Sequence, residues 1–220
     1  MKALQKSGGS AALLMAVAYL IGMVTFFVVL DYANMTDPAL KVAMLVEKQL
    51  VFTATNLLMY VFFGVFLVVL SLALYDRLQS GARATMQVAT ALGIIWAGSL
   101  IASGMVANAG IAPTVALYAQ DPAQAALTWL GIESVANGLG NANGEILGGV
   151  WTLLVSLAAL RAGGLPRALN YVGLLVGATG IISLIPGLTD VMIGIFALSQ
   201  VVWFVWLGIV LLRSNPGKPA

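Results

Sequence analysis

The chain has 220 residues, of which 61% are hydrophobic and only 8% are charged, and its formal net charge is +2. A soluble domain carries about 25% charged residues, so this chain cannot cover itself with a water-facing surface. Its mean hydropathy of +1.01 indicates lipid as the solvent. The sequence has no cysteine and no histidine, which excludes disulfides, thiolate metal sites and imidazole chemistry. We therefore expect an all-α integral membrane protein with no cofactor, no bound metal and no nucleic-acid partner.

Six apolar stretches follow one another along the chain, each close to the roughly 20 residues that a helix needs to cross the hydrocarbon core. They predict one polytopic six-helix transmembrane domain, with crossings at residues 11–30, 51–74, 86–111, 142–160, 169–185 and 191–212. Lys2 and Lys6 precede the first stretch, as in a signal peptide. Its apolar run of about 20 residues is longer than that of a signal peptide, so we predict a permanent first crossing.

The distribution of lysine and arginine predicts the orientation. Six crossings leave only Lys41 and Lys48 on one side and put eight basic residues on the side of the two termini. The eight are Lys2, Lys6, Arg77, Arg83, Arg161, Arg167, Arg213 and Lys218. Basic residues accumulate in cytoplasmic loops, so both termini are predicted to be cytoplasmic.

Two connections on the predicted outer side are longer than turns. Asp-Pro pairs at 37–38 and 121–122 open them, and Asp at the N-cap followed by Pro is a typical helix start. We predict amphipathic helices on the outer surface at 38–49 and 122–138. The alternative is a loop followed by an overlong transmembrane helix. A single helix over 122–160 would be about 58 Å long, and the Asn-Gly pairs near 137–144 favour a break instead.

The chain also resembles itself at an offset of about 84 residues. The triplet Asp-Pro-Ala at 37–39 corresponds to 121–123, and the arginines at 77 and 83 correspond to those at 161 and 167. Apolar segments match by chance, but these residue types are rare in this chain. The matches predict an internal repeat, whose unit is an ascending helix, a surface helix and a descending helix.

Polar residues inside a membrane are costly, so each is a candidate functional residue. Glu145 is the strongest, because it is predicted to lie about one turn inside the outer end of the fourth crossing. The spacing of Asn141, Glu145, Gly149, Thr152 and Ser156 puts them on one helical face, which is predicted to face the bundle interior. In the functional interpretation, Glu145 is a binding site for a cation, a proton or the polar group of a ligand. The alternative is a hydrated or hydrogen-bonded residue at the headgroup level.

Two further pairs are candidate ligand-binding residues. Gln200 lies near the middle of the sixth crossing with Trp203 three residues later, and Asn56 and Tyr60 lie one turn apart in the second crossing. A mid-bilayer Gln needs partners, and hydrogen bonding between helices explains Gln200 as well as ligand contact does. Asn56 and Tyr60 are candidates for lining a cavity with Glu145, although the sequence does not show that they meet.

A family resemblance is carried by three segments of the C-terminal half. They are Gly144-Glu-Ile-Leu-Gly-Gly-Val-Trp151, Ala159-Leu-Arg-Ala-Gly-Gly-Leu-Pro-Arg-Ala-Leu-Asn-Tyr-Val-Gly-Leu174 and, in the last helix, Trp203-Phe-Val-Trp-Leu-Gly. They resemble a bacterial group of small six-helix membrane proteins, the domain of unknown function 4386 family. The likeness covers residues 120–213 well and the N-terminal half in helix pattern only. It implies a bacterial plasma membrane and six helices, and it supplies no activity.

These features favour a non-enzymatic protein that binds a lipophilic small molecule, a lipid or a partner subunit within the bundle. The alternative is a small transporter or transporter subunit that uses Glu145 as its coupling group. An enzyme is the least favoured class, because the chain has no clustered carboxylates or catalytic motif.

Overall fold

The computed structural model of the protein describes residues 2–140 and 145–214, and every regular element within them is helical. This confirms the predicted all-α fold. Two π-helical segments, Thr25–Val29 and Leu57–Phe62, follow α1 and α3, and a 3-10 turn covers Tyr32–Asn34. The α-helices are α1 (Lys2–Val24), α2 (Pro38–Glu47), α3 (Gln49–Asn56), α4 (Phe63–Tyr118), α5 (Pro122–Leu139), α6 (Ile146–Ala162), α7 (Arg167–Ile182) and α8 (Thr189–Arg213).

The helices α2 and α5 both begin at an Asp-Pro pair. A carboxylate oxygen of Asp37 accepts a hydrogen bond from the amide of Ala39 at 2.9 Å, and Asp121 accepts one from the amide of Gln124 at 3.0 Å. These caps satisfy amide groups that the first turn of a helix leaves unpaired. Helix α2 ends earlier than its predicted limit of 49, because Lys48 leaves the helical conformation (φ −116°, ψ 30°) and α3 begins immediately after it.

Helix α4 is a hairpin with a turn at Ala82. A straight helix of its 56 residues would be about 84 Å long. Ala82 has φ −149° and ψ 43°, which interrupts the helix. A Cβ atom on Gly64 would lie 2.9 Å from the carbonyl oxygen of Ala97, and one on Gly104 would lie 2.7 Å from Cβ of Tyr60. Such contacts join residues at similar distances before and after Ala82, so the two arms of the α4 hairpin run antiparallel.

The helices are long and apolar enough for a membrane protein. By length and composition, three described helical runs qualify as membrane spans: Lys2–Val29, Gln49–Tyr118 and Thr189–Arg213. The second run has 70 residues and contains the α4 hairpin, so it holds the predicted segments 51–74 and 86–111. Helices α6 and α7 are apolar but have only 17 and 16 residues, or about 26 and 24 Å.

The predicted fourth crossing, 142–160, differs from the structure at its beginning. Helix α6 begins at Ile146, and Glu145 is its N-cap residue with a non-helical ψ of 50°. Glu145 therefore precedes the helix instead of lying one turn inside it. At the other end, α6 stops at Gly163, whose φ of 68° is in the left-handed region that glycine adopts without strain.

Small residues let two helix pairs approach to backbone contact. A Cβ atom on Gly149 of α6 would lie 2.9 Å from the carbonyl oxygen of Gly177 on α7. One on Gly208 of α8 would lie 2.9 Å from the carbonyl oxygen of Gly9 on α1. Lipid gives helices little hydrophobic reason to associate, so such close van der Waals packing is a main source of their stability.

A cluster of hydrogen bonds around Arg77 holds together the end of the bundle that carries the chain termini. The Arg77 guanidinium donates to the carbonyl oxygen of Gly164 at 2.7 Å and to the Gln5 side-chain oxygen at 2.8 Å. The Gln5 amide in turn donates to the carbonyl oxygens of Leu211 at 2.8 Å and Ser214 at 2.7 Å. One arginine thus links α1, the α4 hairpin, the α6–α7 connection and the end of α8. We call these residues the Arg77 cluster.

Candidate functional site

The opposite end of the bundle, which carries α2 and α5, contains a cavity of about 850 Å³. Its walls come from α1, α2, α3, α4, α5 and α8 and from the residues around the 3-10 turn. A volume near this size is typical of small-molecule sites. We call this space the α2–α5 cavity. The aromatic residues that line it are Tyr19, Phe26, Phe27, Tyr32, Phe52, Tyr60, Phe63, Trp96, Trp129 and Phe196.

Glu145 lines this cavity and is only 9% exposed. Its backbone amide donates to the hydroxyl of Ser183 at 2.9 Å, and that hydroxyl donates to the carbonyl oxygen of Gly180 at 2.6 Å. The end of α7 therefore fixes the backbone of Glu145. Among residues 2–140 and 145–214, the Glu145 carboxylate makes no hydrogen bond and no ion pair. Tyr19 and Tyr60 line the same cavity.

Asn56 and Tyr60 also line the cavity, as residues of α3 and the following π-helical segment. The Asn56 amide donates to the side-chain oxygen of Asn108 at 3.0 Å, and the Asn108 amide donates to the carbonyl oxygen of Thr53 at 3.2 Å. This pair fixes Asn56 against the second arm of α4. The π-helical segment carries Tyr60, and such segments occur frequently at functional sites.

Aromatic rings form a rigid inner wall. Phe63 lies 5.9 Å from Tyr19 and 5.9 Å from Trp96, measured between ring centroids. The ring centroid of Trp96 lies 5.8 Å from that of Trp151, which belongs to the packed core behind the cavity. Edge-to-face and tilted aromatic pairs at these distances stabilise a core beyond the area they bury. The inner wall is therefore well packed and mainly apolar.

An ion pair between α2 and α5 lines the cavity. Lys41 of α2 donates to both carboxylate oxygens of Glu133 on α5, each at 2.9 Å. The two side chains are only 19% and 13% exposed, so water screens the pair less than at an open surface. The Lys41 ammonium also lies 5.0 Å above the centre of the Tyr32 ring, within the range of a cation–π contact.

Tyr32 contacts both members of this region, Lys41 of α2 and Trp129 of α5. Its hydroxyl accepts a hydrogen bond from the Trp129 indole at 2.7 Å, and its ring lies 4.8 Å from that of Phe52. Burial raises the pKa of Tyr32 well above its usual range, although the Trp129 hydrogen bond acts in the opposite direction. Tyr32 is therefore neutral at physiological pH and serves as a fixed polar and aromatic contact.

Gln200 and Trp203 lie outside the cavity, in the packed core beneath it. Gln200 accepts a hydrogen bond from the hydroxyl of Thr152 at 3.1 Å, and the Trp203 indole donates to the carbonyl oxygen of Leu169 at 3.2 Å. These contacts join helices, which was the structural alternative for Gln200. Asn141 lies outside the described residues. The structure therefore groups Glu145, Asn56 and Tyr60 and places Gln200 and Trp203 elsewhere.

Sequence reasoning missed several cavity residues. Tyr19 and Trp96 are aromatic residues in apolar helices, and no local signal separates them from ordinary core residues. The sequence did contain a clue to the Lys41–Glu133 pair, since each is a rare charged residue on one of the two predicted surface helices. Within the described part of the chain, no group of three or more histidine, cysteine or acidic residues is placed to hold a metal ion.

These features define a helical membrane protein with an aromatic cavity, a buried carboxylate at its wall that has no partner among residues 2–140 and 145–214, and an ion pair between α2 and α5 at the cavity. The chain belongs to the family described as "Domain of unknown function (DUF4386)", whose model matches residues 9–214. This confirms the resemblance that the C-terminal motifs indicated. No curated protein and no solved structure matches the chain.

Proposed function

We propose that the protein binds a lipophilic small molecule or a lipid in the α2–α5 cavity and catalyses no reaction. The observation that carries the proposal is the cavity itself, where aromatic walls meet a few polar groups, as in most small-molecule sites. A partner subunit is favoured less, because a concave space inside the bundle suits a small ligand better than a protein surface.

Native mass spectrometry of protein purified in mild detergent tests this proposal. We expect a population carrying an added mass, released when the detergent is made harsher. We also expect lipophilic probes to change the tryptophan fluorescence, because Trp96 and Trp129 line the cavity. Protein that shows neither an added mass nor a fluorescence response to any lipophilic probe would contradict the proposal.

We further propose that the chain crosses a bacterial plasma membrane six times, with both termini in the cytoplasm. The 8:2 division of basic residues supports this orientation, and the turn at Ala82 gives the hairpin of α4 two antiparallel arms. The capped starts of α2 and α5 are consistent with the proposed 84-residue repeat, whose units would be related by an axis along the membrane normal.

Single-cysteine labelling tests the topology cleanly, since the chain has no cysteine of its own. Thr36 and Ser80 are exposed and lie at opposite ends of the bundle. We expect a membrane-impermeant maleimide to label Thr36→Cys in intact cells and Ser80→Cys only after permeabilisation. Labelling of both in intact cells, or the reverse pattern, would overturn the proposed orientation.

A second candidate function is transport with Glu145 as the coupling group. The observation that favours it is the location of this carboxylate in the cavity wall without a partner among the described residues. Glu145→Gln keeps the side-chain shape and removes the charge. Transport predicts that this variant loses ion-coupled uptake in vesicles, whereas normal uptake by the variant would exclude the coupling role.

A further inference from the structure

We propose that the ligand of the α2–α5 cavity is an organic cation with an apolar body, bound with its charged group beside Glu145. This inference deepens the proposed function, on which it rests, by assigning the charge class of the ligand. It uses four features of the described residues: the charges that line the cavity, the burial of Glu145, the aromatic walls and the lack of a cage for an inorganic ion.

The charge balance of the lining is negative. The charged side chains at the cavity are Lys41, Glu133, Glu145 and Asp190. Lys41 lies 2.9 Å from both oxygens of Glu133, so its charge is already matched. Two carboxylates remain, Glu145 in the wall and Asp190 at the exposed start of α8. An anionic ligand would meet repulsion from both, whereas a cation would be attracted.

The burial of Glu145 indicates where in the cavity the charged group of the ligand binds. More than nine-tenths of this residue is removed from solvent, and no described residue donates a hydrogen bond to its carboxylate or forms an ion pair with it. An ionised carboxylate buried without a partner costs several kcal/mol. Without a partner, a buried carboxyl takes up a proton and becomes neutral instead. A ligand cation beside Glu145 would stabilise the ionised form, which a neutral lipid or sterol cannot do.

The aromatic walls favour an organic cation over a metal ion. Ring faces attract ammonium and other organic cations within about 6 Å of the ring centre, and Tyr19 and Tyr60 share the cavity wall with Glu145. Lys41 already makes such a contact with Tyr32 in the same cavity, at 5.0 Å. A hard metal ion instead needs about six oxygen ligands, and the described part of the chain has no group of three or more histidine, cysteine or acidic residues placed to hold one.

Two probes of nearly equal shape separate charge from hydrophobicity. Methyltriphenylphosphonium is a cation, and triphenylphosphine oxide is a neutral molecule of almost the same size. We expect titration calorimetry with wild-type protein in nanodiscs to give at least tenfold tighter binding of the cation. Equal binding of the two probes would overturn the cation assignment and leave the proposed binding function intact. Binding of neither probe would contradict the cation assignment, and the added-mass measurement would then decide the proposed binding function.

Charge removal at one residue gives the second measurement. We expect Glu145→Gln to weaken cation binding about tenfold and to change binding of the neutral probe less than twofold. Glu47→Gln is the matched control, because Glu47 is an exposed carboxylate on α2 outside the cavity lining. Equal losses of both probes in Glu145→Gln would indicate a structural role and contradict the proposal. If this variant fails to fold, the comparison of the two probes on wild-type protein still decides the question.

Discussion

Replacing Arg77 with alanine is expected to lower the free energy of unfolding by about 3 kcal/mol, because a partly buried charged donor with two hydrogen bonds is lost. The side-chain oxygen of Gln5 and the carbonyl oxygen of Gly164 would each lose a donor at less than 3 Å. Four separate parts of the chain meet in the Arg77 cluster, so the loss weakens the whole terminal end of the bundle. Reversible unfolding in mixed detergent micelles measures the change.

Two further variants test whether the loss comes from the hydrogen bonds of Arg77. Arg83→Ala removes an exposed arginine from the same hairpin, and we expect a change below about 0.5 kcal/mol. Arg77→Lys keeps the charge but not the planar fork that donates in two directions, so we expect an intermediate loss. Equal stability of Arg77→Ala and Arg83→Ala would show that the Arg77 cluster does not stabilise the fold.

Replacing Gly194 with tryptophan is expected to weaken binding of lipophilic probes at least tenfold without lowering the stability of the fold. Gly194 lines the cavity on α8, and no atom lies within 4 Å of the position its Cβ would take. An indole therefore enters open space instead of a packed interface, and it occupies volume that a ligand needs. Probe titrations monitored by calorimetry, alongside thermal unfolding, separate the two effects.

Gly98→Trp is the matched control for this experiment. Gly98 is also an exposed helical glycine with no atom within 4 Å of its Cβ position, but it does not line the cavity. We expect this variant to bind the probes as the wild type does. Loss of binding in both variants would point to a general effect of surface tryptophan, and retained binding in Gly194→Trp would place the ligand elsewhere.

The two ends of the bundle have different chemistry. At the terminal end, the polar groups of the Arg77 cluster hydrogen-bond to one another, which is the arrangement expected of a structural polar network. At the α2–α5 end, Glu145 faces a cavity without a described partner, while Lys41 and Glu133 are paired with each other. Some buried polar atoms of the described core also lack partners, such as Oγ of Ser71 and Nε2 of Gln200, but Glu145 is a carboxylate that lines a cavity. This location is the reason for placing the ligand at the α2–α5 end.

The sequence by itself determined the class of protein and many of its local features. Hydropathy and the scarcity of charge identify a membrane protein, because a chain with so few charged residues cannot cover itself with a water-facing surface. The Asp-Pro pairs predicted the starts of α2 and α5, because capping depends on residues a few positions apart. The cost of polar groups in lipid singled out Glu145, Asn56 and Tyr60 as candidates.

Only the tertiary structure decided which of these residues meet. Asn56 and Glu145 are far apart in sequence, and they share a cavity because the turn at Ala82 folds α4 back and the end of α7 holds the backbone of Glu145. Gln200 carried a similar local signal, yet it pairs with Thr152 in the core. Apolar helices in lipid are similar in composition on all sides, so hydropathy does not specify their neighbours. Close packing at small residues such as Gly149 and Gly208 specifies which helices are neighbours, and this packing depends on the whole bundle.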